Sequence, residues 1–272
     1  MARAMGKIAS PTRAITILAA IAALLPASKA FGIELDLTTQ ESGTIGAAIF
    51  SRADTHPAGT GVYDPFLTLQ SQGNQNVEQG YNTSGGLPLD DKRPHWTHDL
   101  QLNQLKDVSI AGVSYFAFEL DANETGNGND RRTLSVDNIR IYTSPKGSQT
   151  PNNPDSLGKL RYALNPLLAG ATFDVSNWIK IDASKKEAGS TSGSGSSDMV
   201  VYVPTSLFTG ASPTDFVYFY NLNGVHDGAD GGFEEWRALT GVPDGGNTLV
   251  LLGAGLTALV FWAGRRGLSS NV

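Results

Sequence analysis

Thr133-Leu-Ser-Val-Asp-Asn-Ile-Arg-Ile-Tyr-Thr143 decides the fold class. Leu134 and Val136 share one parity, whereas Ile139 and Ile141 share the other. A strand alternates its faces with period two, so the switch predicts a β-bulge near Asp137-Asn138. Working outward, Phe216–Leu222 is apolar or aromatic on both faces, as a central strand should be. Val113–Leu120 sets Phe116, Phe118 and Leu120 on one side. Trp96, His98, Leu100 and Leu102 alternate with His95, Thr97, Asp99 and Gln101, which reads as a half-buried strand.

Phe31–Leu37, Thr44–Ser51, Val62–Leu69, Leu157–Leu164, Asn177–Ile181 and Met199–Val203 complete the extended segments, separated by Gly, Asn, Asp and Pro clusters. The pattern predicts an all-β chain, an antiparallel, jelly-roll-like sandwich over residues 31–241. No part of this body carries a long 3.6-residue period, and Gly232–Leu239 is expected to form a helical turn or two. Lys185–Ser197 is a low-complexity loop, flexible by composition, and strands resume after it. It therefore reads as an excursion within one domain.

Both ends of the chain differ from the body. Residues 1–30 carry Arg3, Lys7 and Arg13 without an acid, then the apolar core Ala14–Leu25 and the small residues Ala27-Ser28-Lys29-Ala30. This order reads as a secretory signal cut after Ala30. Of the chain's 20 Lys and Arg, four lie in residues 1–30 and two in 245–272, while all 26 Asp and Glu lie between. The body thus holds 14 bases against 26 acids, a net charge of about −12. That balance argues against nucleic acid or an anionic membrane surface as partner and suits a body that collects divalent cations. There are no cysteines, so stability rests on the core.

Four histidines are present: His56, His95, His98 and His226. His95 and His98, three apart on a strand, point to opposite faces and do not share a metal. His98 reads as a hydrogen-bonded core residue. The densest set of hard oxygen donors is Asp121, Asn123, Asn127, Asn129 and Asp130. Arg132 stands where an EF-hand needs its bidentate glutamate, so the stretch is either an irregular calcium site or a solvated hairpin loop. A second acidic loop carries Asp227, Asp230, Glu234 and Glu235, which read as calcium ligands, as the source of a carboxylate in an enzyme, or as caps of a short helix. A glycosidase would need two facing carboxyls, with Asp121, Asp137, Glu234 and Glu235 as the first acids to test. Gly193-Ser194-Gly195 lacks the spacing of a nucleophile elbow. No nucleophile motif, P-loop, dinucleotide fingerprint or zinc helix is present, and the chain is expected not to be an enzyme.

The C-terminal 242–268 region has three parts. Val242-Pro243-Asp244-Gly245-Gly246 precedes an apolar helix over 248–264, and Arg265-Arg266 follow as a basic stop. The fifteen residues Leu249–Ala263 would span roughly 22 Å as a helix, short of the ~30 Å hydrocarbon core until the flanking residues are added. Taken alone, the run also fits a plain single-pass membrane anchor. The tail resembles the VPDSG-CTERM variant of the PEP-CTERM sorting signals, with Gly245 where that family usually has Ser. The resemblance implies an exosortase as processing enzyme, transient residence in the inner membrane, then the outer surface or extracellular matrix of a Gram-negative bacterium.

Five body segments are similar to those of other exosortase-sorted proteins: Gly59–Phe66, Gln79–Gly85, Thr97–Leu102, Leu134–Tyr142 and Gly231–Trp236. That likeness implies a surface β-protein associated with extracellular polysaccharide and brings no established activity. The expected function is a non-catalytic, exported surface or matrix protein. The alternatives are a carbohydrate-binding module with structural calcium, recognisable by coplanar exposed aromatics, and a secreted glycan hydrolase.

Overall fold

The computed structural model describes residues 32–53, 64–71, 75–92, 96–123, 133–165, 175–183, 197–229 and 232–240. Fourteen strands and three short 3-10 turns lie in these stretches. The strands are β1 (Glu34–Asp36), β2 (Ser42–Ile45), β3 (Ala48–Arg52), β4 (Leu67–Leu69), β5 (Glu78–Tyr81), β6 (Leu100–Gln101) and β7 (Asp107–Ile110). They continue as β8 (Val113–Ala122), β9 (Thr133–Ser144), β10 (Lys159–Ala163), β11 (Trp178–Asp182), β12 (Met199–Pro204), β13 (Phe216–Asn223) and β14 (Glu234–Ala238).

Two seven-stranded sheets result. The first runs β1-β11-β9-β13-β5, with β10 also on β9 and β6 also on β13. The second runs β2-β3-β12-β8-β14-β4, with β7 also on β8. All pairings are antiparallel except β1 with β11, which is parallel and corrects the wholly antiparallel expectation. β1 arrives from the far end of the chain, so no hairpin constrains its direction.

The bulge predicted in β9 is present. Leu222 faces Asn138 and Asn223 faces Val136, so Asp137 is the extra residue. The shift lets Leu134, Val136, Ile139 and Ile141 all reach the same core. β13 is central, bonded to β9 along its length and to β5 and β6 on its other edge. Two-residue turns close the β2–β3 and β7–β8 hairpins, the latter through Ala111 (φ 49°) and Gly112 (φ 81°), a type I′ geometry.

Both sheets feed one apolar layer. Phe50, Phe118, Leu120, Val201 and Trp236 come from one sheet and Val136, Ile141, Ile179 and Phe219 from the other. Phe219 contacts both Phe118 (5.1 Å between ring centroids) and Trp236 (4.6 Å).

The outer face of the first sheet carries a second cluster of Tyr81, Tyr142, Tyr218, Tyr220, Leu157 and Leu222. Each tyrosine hydroxyl has a partner. Tyr81 donates to Pro151 O (2.8 Å), Tyr218 to Lys146 O (2.8 Å), Tyr142 to Asp155 Oδ1 (2.7 Å) and Tyr220 to Gln79 Oε1 (2.8 Å). Three of these partners lie in the segment after β9, which covers the plate. Arg140 crosses it, pairing with Asp155 at 2.9 Å and lying over the Tyr220 ring.

Two local expectations are overturned. Gly232–Leu239 holds no helical turn where it is described. Glu234–Ala238 is a strand, because pairing with β8 and β4 overrides the helix propensity of Glu-Glu-Trp-Arg-Ala. In 96–102 only Leu100–Gln101 is a strand. Trp96 is exposed and His98 half-buried, its Nδ1 2.9 Å from Asp99 O, so the half-buried strand and the core histidine both give way to a turn.

Candidate functional site

The described ends of the two acidic stretches, Asp121–Asn123 and Phe233–Glu235, are neighbours in space although a hundred residues separate them in sequence. β8 and β14 run antiparallel with Glu234 opposite Ala122 and Glu235 opposite Asp121. Asn123 extends the contact, its backbone N–H and its Nδ2 both donating to Phe233 O (3.2 and 3.1 Å). Strand alternation then separates their roles. Glu234, Trp236 and Ala238 share the inward parity of Ala122, Leu120 and Phe118, while Glu235 and Arg237 share that of Asp121 and Glu119. On that outward side Arg237 forks onto Glu119 Oε2, which also accepts from Ser197 Oγ at 2.5 Å.

The inward side is unusual. Glu234 has no exposed surface, and neither has Glu78, which reaches toward it from the opposite sheet. Glu78 points inward because Tyr81, of the other parity, belongs to the tyrosine plate outside. Around Glu78 stand Asn223, whose Nδ2 donates to Oε1 at 2.8 Å, and the backbone N–H of Ser71. Burial pushes the Glu78 carboxyl up from its ordinary value, opposed by these hydrogen bonds and reinforced by Asp90. Asn221 continues the polar row, its Oδ1 accepting from Trp236 Nε1 at 2.9 Å. Glu78 Oε2, Asn223 Oδ1 and Ser71 Oγ are buried acceptors without a hydrogen-bond donor.

Asp91 lies along the same interior. Its Oδ1 accepts from Tyr81 N–H (3.1 Å) and its Oδ2 has no partner. Burial raises its pKa to about 9. Gly80 is obligatory beside it, since a Cβ there would occupy the Asp91 carboxyl.

The bulge residue Asp137 organises a third arrangement. Its Oδ2 accepts from Ser135 Oγ (2.8 Å) and Val225 N–H (2.7 Å), and its Oδ1 lies 2.5 Å from His226 Nδ1. His226 stacks on Trp178, 4.5 Å between centroids and 2° from parallel. Beside them Lys180 pairs with Asp227 at 2.9 Å. Burial raises the Asp137 pKa, partly offset by its bonds to His226, Val225 and Ser135. Ser135 Oγ accepts from two backbone N–H groups and donates to Asp137, so it serves as a structural knot.

Of the predicted ligands, Asp121 and Asn123 are placed, whereas Asn127, Asn129 and Asp130 lie outside the described residues, as do Asp230, His56 and His95. Ala30, Val242, Pro243, Asp244, Gly245, Gly246, Arg265 and Arg266 lie outside them too. Asp227 pairs with Lys180, and Glu234 and Glu235 point to opposite faces. Among the described residues no three acids or histidines converge as a metal set, and no helix is long and apolar enough to cross a membrane. Sequence reasoning missed Glu78, which sits in a polar run with no apolar alternation to mark it. Comparison with family models, curated proteins and solved structures gives no match to this chain.

Proposed function

We propose that the chain is an exported, non-catalytic surface or matrix protein of a Gram-negative bacterium. Its C-terminal signal is read by an exosortase, and its body, a jelly-roll-like sandwich, stays near extracellular polysaccharide. The observation that carries the reading is the order Val-Pro-Asp-Gly-Gly, apolar run, Arg-Arg at 242–266, with a secretory signal ending at Ala30. Pro243 and the paired glycines favour an extended backbone that a protease can enter.

The acids in the body favour this reading over a glycan hydrolase. The facing pair Glu78 and Glu234 is sealed from solvent, with no exposed surface on either residue. A retaining glycosidase holds its carboxyls about 5–5.5 Å apart with the substrate between them. Among the described residues, Tyr115 and Tyr202 on the outer face of the second sheet meet edge to face at 79°, so this pair makes no flat sugar platform.

The intact mass of the protein from its native surface fraction tests the proposal. A mass lacking residues 1–30 and the segment after about Gly245 is expected, and replacing Pro243-Asp244 with Ala-Ala should leave the tail in place. A wild-type chain that keeps its whole tail beyond Ala30 would make it a plain membrane anchor and overturn the sorting reading.

A further inference from the structure

The body ends against the sorting motif with almost no chain between them. β14 closes at Ala238, and the next two residues stay fastened. Leu239 donates its N–H to Ala117 O (3.0 Å) and accepts from the Lys106 N–H (2.8 Å). Its side chain packs against the outer cluster of Ala53, Ala117 and Val200. Thr240 faces Leu105 in an isolated antiparallel bridge. The Lys106 bond beside it makes this a non-hydrogen-bonded pair, whose Cα atoms stand about 4.5 Å apart. Leu105 in turn packs against the main core. Only Gly241 separates this clasp from Val242-Pro243-Asp244. An extended residue advances roughly 3.3–3.6 Å, so Val242 stands no more than about 7 Å from the pinned Thr240. On the far side, the eight residues 241–248 reach about 28 Å at most before the apolar run begins.

We propose that this clasp regulates processing of the tail: Leu239 and Thr240 must lift away from Ala117, Lys106 and Leu105 before the sorting motif is cut. The inference rests on the sorting reading above and adds a control to it. A bound peptide strand is held by hydrogen bonds along its backbone, and a protease needs several residues in that form around the scissile bond. Leu239 already commits both of its backbone groups to Ala117 and Lys106. With the clasp shut, the body therefore stands against the rim of any cleft that receives Pro243-Asp244. With it open, Leu239 and Thr240 join the free chain and the cleft can close on the motif. The cut itself breaks one peptide bond. Its carbonyl carbon passes to water as a new carboxylate, and its nitrogen leaves as the amine of the released tail. The body sets how often that bond is presented. Opening of a strand end is a local event, cheaper than unfolding, and cleavage that is slow beside it tracks the open fraction. The clasp is light enough for this, with one bridge, two backbone bonds and an exposed Thr240.

The test follows loss of the tail by mass, over time, in membranes of the producing bacterium with the full-length chain as substrate. The chain has no cysteine, and a non-hydrogen-bonded pair has the spacing a disulfide needs. Leu105→Cys together with Thr240→Cys therefore locks the clasp reversibly. Oxidised, this variant should lose its tail at least about tenfold more slowly than when reduced. Lys106→Pro deletes the donor to Leu239 O and should speed the cut about fivefold. Should that variant not fold, a Gly-Ser spacer of about six residues (~20 Å) after Thr240 leaves the body intact. The spacer should speed the cut and make its rate indifferent to the lock. Equal rates for the oxidised and reduced pair, or a spacer that leaves the rate unchanged, would overturn the clasp while the sorting reading stands. A wild-type tail that is never cut would overturn both.

Discussion

The tyrosine plate outside the first sheet and the polar row between the sheets are equally buried, yet they are finished differently. On the plate every hydroxyl meets a carbonyl, carboxylate or amide oxygen of the same chain, and the segment after β9 supplies most of them. In the row, Glu78, Asn223, Ser71 and Asp91 each keep an acceptor that no donor answers. Burial alone does not say whether a polar group stabilises a fold. Each orphaned buried group costs about 1–3 kcal/mol, whereas a satisfied bond contributes about 1. The plate's satisfied bonds therefore stabilise the fold, whereas the row keeps its unanswered acceptors at a cost.

The largest effect should come from emptying the plate. Tyr218→Ala removes a buried ring and two bonded contacts and should cost about 3–5 kcal/mol in denaturant unfolding. A loss under about 1 kcal/mol would mean that the covering segment does not rest on it.

Asp91→Asn should do the reverse. The amide keeps the acceptor for Tyr81 N–H and is neutral without taking up a proton, so at pH 8, where the unfolded carboxyl is ionised, the variant should be more stable by about 1–3 kcal/mol. The sign follows from the raised pKa. Folded Asp91 holds its proton up to about pH 9, against about 4 when unfolded. Its contribution is complete below pH 4 and is lost as pH climbs toward 9. Urea melts of the wild type should slope downward through that window, and those of Asp91→Asn should slope less. Equal slopes would place the carboxylate in water.

Tyr218→Phe keeps the ring and deletes only the hydroxyl bonded to Lys146 O, for about 1 kcal/mol. Ser71→Ala should be the smallest change, within about 0.5 kcal/mol and favourable, since it deletes an acceptor nothing uses. A costly Ser71→Ala would show that the row is satisfied after all.

Much of the frame was legible in sequence. The parity switch in 133–143 located the bulge at Asp137, and the two-sided apolarity of 216–222 marked the central strand. What escaped notice is the part that breaks the pattern. β5 turns Glu78 and Gly80 to the core and Tyr81 outward, and β14 turns Glu234 inward ahead of Trp236. Periodicity assigns acids to solvent, so strands that bury them read as loops or helical turns. The adjacency of Asp121–Asn123 and Glu234–Glu235 depends on register between strands, which no single stretch encodes.

The parallel pairing of β1 with β11 also governs the order in which the molecule can form. A chain threaded amino end first delivers β1, β2 and β3 early, but β1 has no partner until residue 178 arrives and β3 none beyond its own hairpin until residue 199. β14, the last of the described strands, must still enter between β8 and β4. Pairing between such distant segments is slow, and open strand edges invite other chains meanwhile. The long-range pairings of the two sheets must therefore wait until nearly all of the chain has been made, while the local hairpins can close early.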